Sequence, residues 1–220
     1  MADSGQGGIP SFQVTNSTQS TISATITVTP SYENNGIICD GNAETFTITV
    51  NPSPEMDNVE DIVLCNNEIS SIIEFTTPNT DGNTTYTWTN DNTSIGLSST
   101  GNGDIPSFTA LNLSPITEVA TITVTPTYEN NGVVCIGDPQ TFSISVLSEI
   151  EITGTTVDAL DCNDPNSGNI NITVTGGSGV YDFLWSNGAI TEDLNNIGPG
   201  DYSVTVTDSE GCTAISQSFN

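Results

Sequence analysis

Two kinds of side chain in this 220-residue chain can do chemistry: 27 carboxylates and five cysteines, at positions 39, 65, 135, 162 and 212. Lys, Arg and His are absent, so the net charge is -27 with no basic group on the protein to offset it. Carboxylates alone support two chemistries. A pair flanking a sugar can hydrolyse a glycoside, and a cluster with backbone carbonyls can hold calcium. Catalytic arrangements that use His or Lys as base, and His-containing zinc sites, cannot be built. Nucleic acid is excluded as a partner because phosphate contacts draw on Lys and Arg. Anionic membrane surfaces repel such a chain, and no apolar run is long enough to cross a bilayer, so direct membrane insertion is not expected.

Acidic clusters stand at two places, Glu55, Asp57, Glu60 and Asp61, and Glu149 with Glu151. These are the candidate calcium ligands, set against the simpler reading of solvated surface charge; neither an EF-hand nor a glycine-aspartate nonapeptide spacing accompanies them. Glu192 and Asp193 are adjacent, yet no aromatic-lined cleft is foreseeable around them. No catalytic residue and no obligatory cofactor is expected, and the chain is read as not an enzyme.

The elements that must position these groups are strands, because the chain repeats itself. Residues 24–36 read ATITVTPSYENNG and residues 120–132 read ATITVTPTYENNG; the same offset of 96 residues aligns GGIPSF (7–12) with GDIPSF (103–108) and Cys39 with Cys135. Within each copy apolar residues alternate with Thr, the period of a strand with one buried and one wet face. Pro30 or Pro126 follows, and the NNG accepts a left-handed turn. No segment carries a useful helical period. The expected fold class is therefore all-β, as tandem immunoglobulin-like β-sandwich modules arranged as a rod.

Three modules follow from the repeat. Residues 1–52 match only the C-terminal half of a module, residues 53–147 form a complete one, and residues 148–220 form a third with different sequence and the same grammar. The Pro-rich, acidic NPSPEMDNVED (51–61) reads as a short stiff linker. In the second module strands are expected at IVLC (62–65), IIEFTT (72–77) and TTYTWT (84–89), with Trp88 in the core. In the third they are expected at NINITV (169–174), YDFLW (181–185) and DYSVTVTD (201–208), with Trp185 in the equivalent place. The polar MADSGQGG start reads as the beginning of a fragment of a longer secreted chain.

The run TVTGGSGVYDFLWSNGAITEDLNNIGPGDYSVTVTDSEGC (173–212) resembles the SprB-type repeat of gliding-motility adhesins of the Bacteroidetes, with Val180 and Ile190 departing from the usual pattern. The first two modules are similar to PKD-like domains of the same long surface proteins, through YTW, GDIPSF, ATITVTP and YENNG. The resemblance implies a non-catalytic stalk or display segment of a type IX-secreted adhesin on the bacterial cell surface, with neighbouring modules of the same chain, and surface polysaccharide or glycans, as partners. It brings no catalytic or ligand residues with it. The alternative is a carbohydrate-binding or accessory region of a secreted polysaccharide-degrading enzyme.

Five cysteines allow Cys65 with Cys135 and Cys162 with Cys212, each pair inside one complete module; the alternative is that all five are buried thiols. Cys39 is expected to be a free thiol, because the 96-residue offset puts its counterpart partner before residue 1. The strands that would cover Ile26, Val28, Phe46 and Ile48 are missing by the same arithmetic.

Overall fold

The computed structural model describes residues 5–157 and 166–220. Among them every regular element is a strand, apart from one 3-10 turn at Thr93–Ile95. The first copy of the repeat supplies β1 (Ile22–Val28), β2 (Ser31–Asn34), β3 (Ile37–Asp40) and β4 (Glu44–Val50). β1 and β4 pair antiparallel, with Ile22 opposite Val50, Ala24 opposite Ile48 and Ile26 opposite Phe46, so the alternation collects the apolar side chains on one face. β2 and β3 form a hairpin closed by Asn34 and Ile37. Its two-residue loop, Asn35 and Gly36, has positive φ at both positions (52° and 80°), the geometry that suits the right-handed twist of the flanking strands.

The next strands are β5 (Ile62–Leu64), β6 (Asn83–Asn90), β7 (Thr100–Asn102), β8 (Glu118–Asn130), β9 (Val133–Ile136) and β10 (Gln140–Val146). They form one sheet in the order β5-β10-β8-β6-β7, with β9 folded back on β8. β5 runs parallel to β10, and β9 antiparallel to β8. Alternation decides the faces: Ala120, Ile122 and Val124 on β8, and Ile144 and Val146 on β10, are fully buried. Trp88 on β6 is buried, against a surface that only glycine can offer, since a Cβ at Gly101 would collide with its indole.

IIEFTT does not form a strand. Ile73 and Phe75 are buried at the expected alternation, but the segment makes only an isolated bridge, Ile73 to Ile105, with reciprocal N–H···O bonds of 3.0 Å. Alternation reports a buried face, not a ladder, and here the partner stretch runs into Pro106, which has no N–H to extend the pairing. The segment read as a linker also packs. Pro52, Pro54 and Met56 are buried while Ser53, Glu55 and Asp57 face outward. The Asp57 N–H donates to the Thr76 carbonyl (2.9 Å), and Gln140 Nε2 to the Met56 carbonyl (3.2 Å).

The last strands are β11 (Glu151–Val157), β12 (Gly168–Thr175), β13 (Tyr181–Trp185), β14 (Leu194–Ile197), β15 (Val204–Asp208) and β16 (Thr213–Ile215). They make two three-stranded sheets, β11-β12-β14 and β13-β15-β16. Ile170, Ile172, Trp185, Leu194, Val204 and Val206 form the core of this sandwich; burial stabilises each by about 1.5–3 kcal/mol relative to exposure. β11 and β14 carry no clear strand signal. β11 contains Gly154, whose bare Cα lets the Phe219 ring approach (a Cβ would stand 2.7 Å from it), and LNNI in β14 is half polar.

The chain divides into two compact units. One comprises Met1–Asn58, Phe75–Thr87 and Val124–Gln140; the other comprises Val59–Glu74, Trp88–Thr123 and Thr141–Asn220. In the first, the ring of Tyr128 is the anchor. It is fully buried, its hydroxyl donates to the Thr80 carbonyl (2.9 Å), and Gly82 leaves room for the ring where a Cβ would collide. The Thr80 N–H then donates to the Gln19 carbonyl (2.8 Å), and Asn130 Nδ2 donates to Thr21 Oγ1 (3.0 Å). In the second unit the buried side chains of β8, β10 and the sandwich follow one another without a break in composition: Ile122, Ile144, Val146, Leu147, Ile150 and Ile170 are all buried.

Candidate functional site

The chemical feature that the fold assembles is a disulfide between Cys65 and Cys212, with sulfurs 2.04 Å and Cα atoms 5.5 Å apart, across a sequence separation of 147 residues. β5 delivers Cys65: the parallel register sets Leu64 opposite Val146, and the Leu147 N–H donates to the Leu64 carbonyl (2.9 Å). The Cys65 N–H is held by Glu68 Oε2 at 2.8 Å. Cys212 is delivered by the turn between β15 and β16, which Asp208 organises. Its buried carboxylate accepts from the N–H groups of Cys212 (2.8 Å), Glu210 (3.0 Å) and Ser178 (2.8 Å), and Gly211 takes the left-handed conformation (φ 87°) that the turn needs. Closing a loop of this length stabilises the fold by roughly 5 kcal/mol in the chain-entropy account.

This pairing corrects the expected one. Cys65 is not bonded to Cys135, and Cys212 is not bonded to Cys162; Cys162 itself lies outside the described residues. The reason is topological. Cys135 lies in β9 opposite Tyr128, on the strand that precedes β10, whereas the parallel register carries Cys65 past the end of β10. Cys135 is a free, half-buried thiol. Cys39, opposite Tyr32 in the β2–β3 hairpin, is a free and exposed one. Treating a module as a closed covalent unit is what misled the sequence reading.

The carboxylates do not converge. Among the described residues no three of Cys, Asp and Glu come together in a way that would hold a metal ion. Glu55 is exposed while its N–H donates to Asn79 Oδ1 (2.7 Å), and Asp57 Oδ2 accepts from Thr76 Oγ1 (2.5 Å). Asp61 Oδ1 accepts from the Ser143 N–H at 2.6 Å, and that backbone bond, with the Ser143 side chain helping, holds its carboxyl below the ordinary 3.8. Glu60, Glu149 and Glu151 are exposed.

Glu192 is exposed and Asp193 is structural. Asp193 Oδ1 accepts from the Ile172 N–H (2.9 Å), and its carbonyl accepts from Thr191 Oγ1 (2.6 Å). The Thr191 carbonyl in turn accepts from Trp185 Nε1 (2.8 Å), so TEDL is the clamp that satisfies the buried indole. WSNG is the matching turn: Gly188 adopts φ 87°, and the Trp185 N–H donates to the Ala189 carbonyl (2.9 Å). The GGSG turn packs on Tyr181, whose hydroxyl donates to the Gly176 carbonyl (2.5 Å). Burial first, and then the negative charge of Asp208, push the Tyr181 phenol above its ordinary 10.

One open cleft of about 390 Å³ lies on the second unit, lined by Thr156, Asn169, Asp201 and Tyr202 among others. The Tyr202 hydroxyl donates to the Gly198 carbonyl (3.0 Å), so the one aromatic residue of this cleft is turned to the fold's own backbone. Sequence reading also missed a pair of brackets. Asn112 Nδ2 donates to the Ile116 and Val146 carbonyls (both 2.8 Å), and its copy Asn16 donates to Ser20 (2.8 Å) and Val50 (3.0 Å). The signal was available in an Asn retained at the repeat offset within otherwise dissimilar sequence.

No curated protein matches the chain. Residues 153–190, running from within β11 through β12 and β13 to the turn after Trp185, match the SprB repeat family.

Proposed function

We propose that the chain is a non-catalytic repeat segment of a large bacterial cell-surface adhesin, a stalk or display module in surface adhesion and gliding motility that is exported by type IX secretion. Its organisation is tandem: the C-terminal half of a PKD-like module at 1–52, a complete one at 53–147, then the SprB-type repeat at 148–220, arranged as a rod. The observation that carries this reading is the SprB repeat match at 153–190. Two physical facts support it. A disulfide is at home in an oxidising exterior, and a chain without Lys or Arg presents no site to trypsin-like proteases. Function on such a scaffold lives in reach and display, and the partners are the neighbouring modules and surface glycans.

The test is antibody labelling of intact, living cells of the source bacterium with antibodies raised against this chain. Label on the outer surface that travels along the cell during gliding, and loss of gliding when the parent gene is deleted, are the expected results. Label that appears only after the envelope is opened overturns the proposal. Micromolar or tighter binding of one defined sugar on a glycan array replaces it with the carbohydrate-binding reading.

A further inference from the structure

The disulfide divides the chain into a ring, residues 65–212, and two tails. What such a ring changes is how the chain responds to being pulled. We propose that the Cys65–Cys212 bond is a mechanical bypass: once the tails have peeled away, tension between the two ends enters through residues 1–65, crosses the sulfurs, and leaves through residues 212–220, so that residues 66–211 are not drawn out. Apart from Cys212 itself, the buried core of the sandwich that contains the SprB-matched stretch, including Trp185, Val204 and Val206, lies inside the shielded part.

The attachment of each tail suits this role. On the entry side the tail must first shed its bonds to the ring, among them Asp57 N–H to the Thr76 carbonyl, Thr80 N–H to the Gln19 carbonyl and Ser143 N–H to Asp61; nearest Cys65 stand β5, three residues in register with β10, and the Leu147 N–H to Leu64 bond. On the exit side β16, three residues in register with β15, the reciprocal Tyr202 and Phe219 backbone bonds (2.8 Å each), the Ser216 bonds to Val204 and the Phe219 ring beside Trp185 hold the tail beyond Cys212. Short strands at the points of loading give way first. The load then comes to rest on a covalent bond, whose Cys212 end is fixed in its turn by the buried Asp208 carboxylate. The adhesin reading supplies only the source of the load. The force path belongs to the chain itself, so failure of the surface-labelling experiment leaves it standing, and failure of the experiment below leaves the adhesin reading standing.

The experiment is single-molecule extension of the full chain held by its two ends, with and without dithiothreitol. The reagent donates two electrons and two protons from its own thiols, which close into a cyclic disulfide, and leaves Cys65 and Cys212 as thiols. Reduction is expected to lengthen the fully extended chain by roughly 500 Å, the contour of the 147 residues released. A C65S/C212S chain should extend to the reduced length without reagent, and because this is a contour length it is read whether or not the variant folds. Equal lengths in both conditions overturn the proposal. So does a gain of roughly 400 Å, the signature of separate Cys65–Cys135 and Cys162–Cys212 loops.

Discussion

The two copies of the repeat are nearly the same sequence in different surroundings. Their turns agree closely: Asn35 and Gly36 have φ of 52° and 80°, Asn131 and Gly132 have 50° and 78°, and the Gly41 and Gly137 N–H groups donate to the Pro30 and Pro126 carbonyls at 2.7 and 2.9 Å. Burial is where they part. Tyr32 is 69% exposed and Tyr128 is 0%; Phe46 is 46% exposed and Phe142 is 6%. β1 and β4 make a sheet of two strands, whereas β8 and β10 are flanked in theirs by β6 and β5. The alternating pattern therefore fixes strand, register and turn, and leaves the degree of burial to whatever covers the face.

The largest effect that would break this comparison concerns the paired phenylalanines. Phe142→Ala should destabilise its unit by about 3–5 kcal/mol, the cost of emptying a filled core site, while Phe46→Ala, on an uncovered face, should cost less than about 1 kcal/mol. Denaturant unfolding read together with amide exchange in β4 and β10 measures both. Equal losses would mean that the β1–β4 face is covered in solution.

The brackets come next. Asn112 is buried and donates to two carbonyls, so Asn112→Ala should cost about 1–3 kcal/mol by leaving the Ile116 and Val146 carbonyls short of a donor. Asn16 makes the corresponding bonds where water can replace them, and Asn16→Ala should cost well under half as much. A turn substitution is the control: Gly36→Ala and Gly132→Ala both force a left-handed alanine at an open turn and should each cost about 1 kcal/mol, alike in the two copies. A marked inequality between the two glycines would show that the copies differ locally and not only in cover.

How much was legible follows the same division. Period-2 alternation located β1, β6, β8, β12, β13 and β15, and the NNG located both hairpin turns, because these are properties of adjacent residues. β11 and β14 were missed because Gly154 and the Asn pair of LNNI are strand-poor residues held by tertiary pairing with β12. The disulfide was missed because its loop of 147 residues crosses two stretches that the repeat separates, and no local pattern reports a partner that far away. TEDL stood out as a possible carboxylate site, yet its work is to satisfy the Trp185 indole, a role that only the folded geometry reveals.

The smallest effect concerns acid. Ser143 in β10 corresponds to Thr47 in β4, and the Ser143 N–H is capped by Asp61, which precedes β5 and therefore belongs to the cover that β4 does not have. The folded Asp61 carboxyl titrates below its ordinary 3.8 because the Ser143 backbone bond favours the ionised form. A depressed carboxyl contributes stability that is present above the unfolded value and is lost as pH falls through the folded one, so the cap should weaken only below about pH 3.8. Because Asp61 is exposed, the effect is screened and small. Amide exchange at Ser143 should speed up below that pH beyond the change in its intrinsic rate, exchange at Thr47 should not, and Asp61→Asn should abolish the difference. The Asn variant is the decisive comparison, since protonation of the other carboxylates relieves like-charge repulsion in both chains equally. If acid-dependent exchange at Ser143 persists in Asp61→Asn, the dependence comes from that general repulsion, and the cap at β10 is not what distinguishes the two copies at low pH.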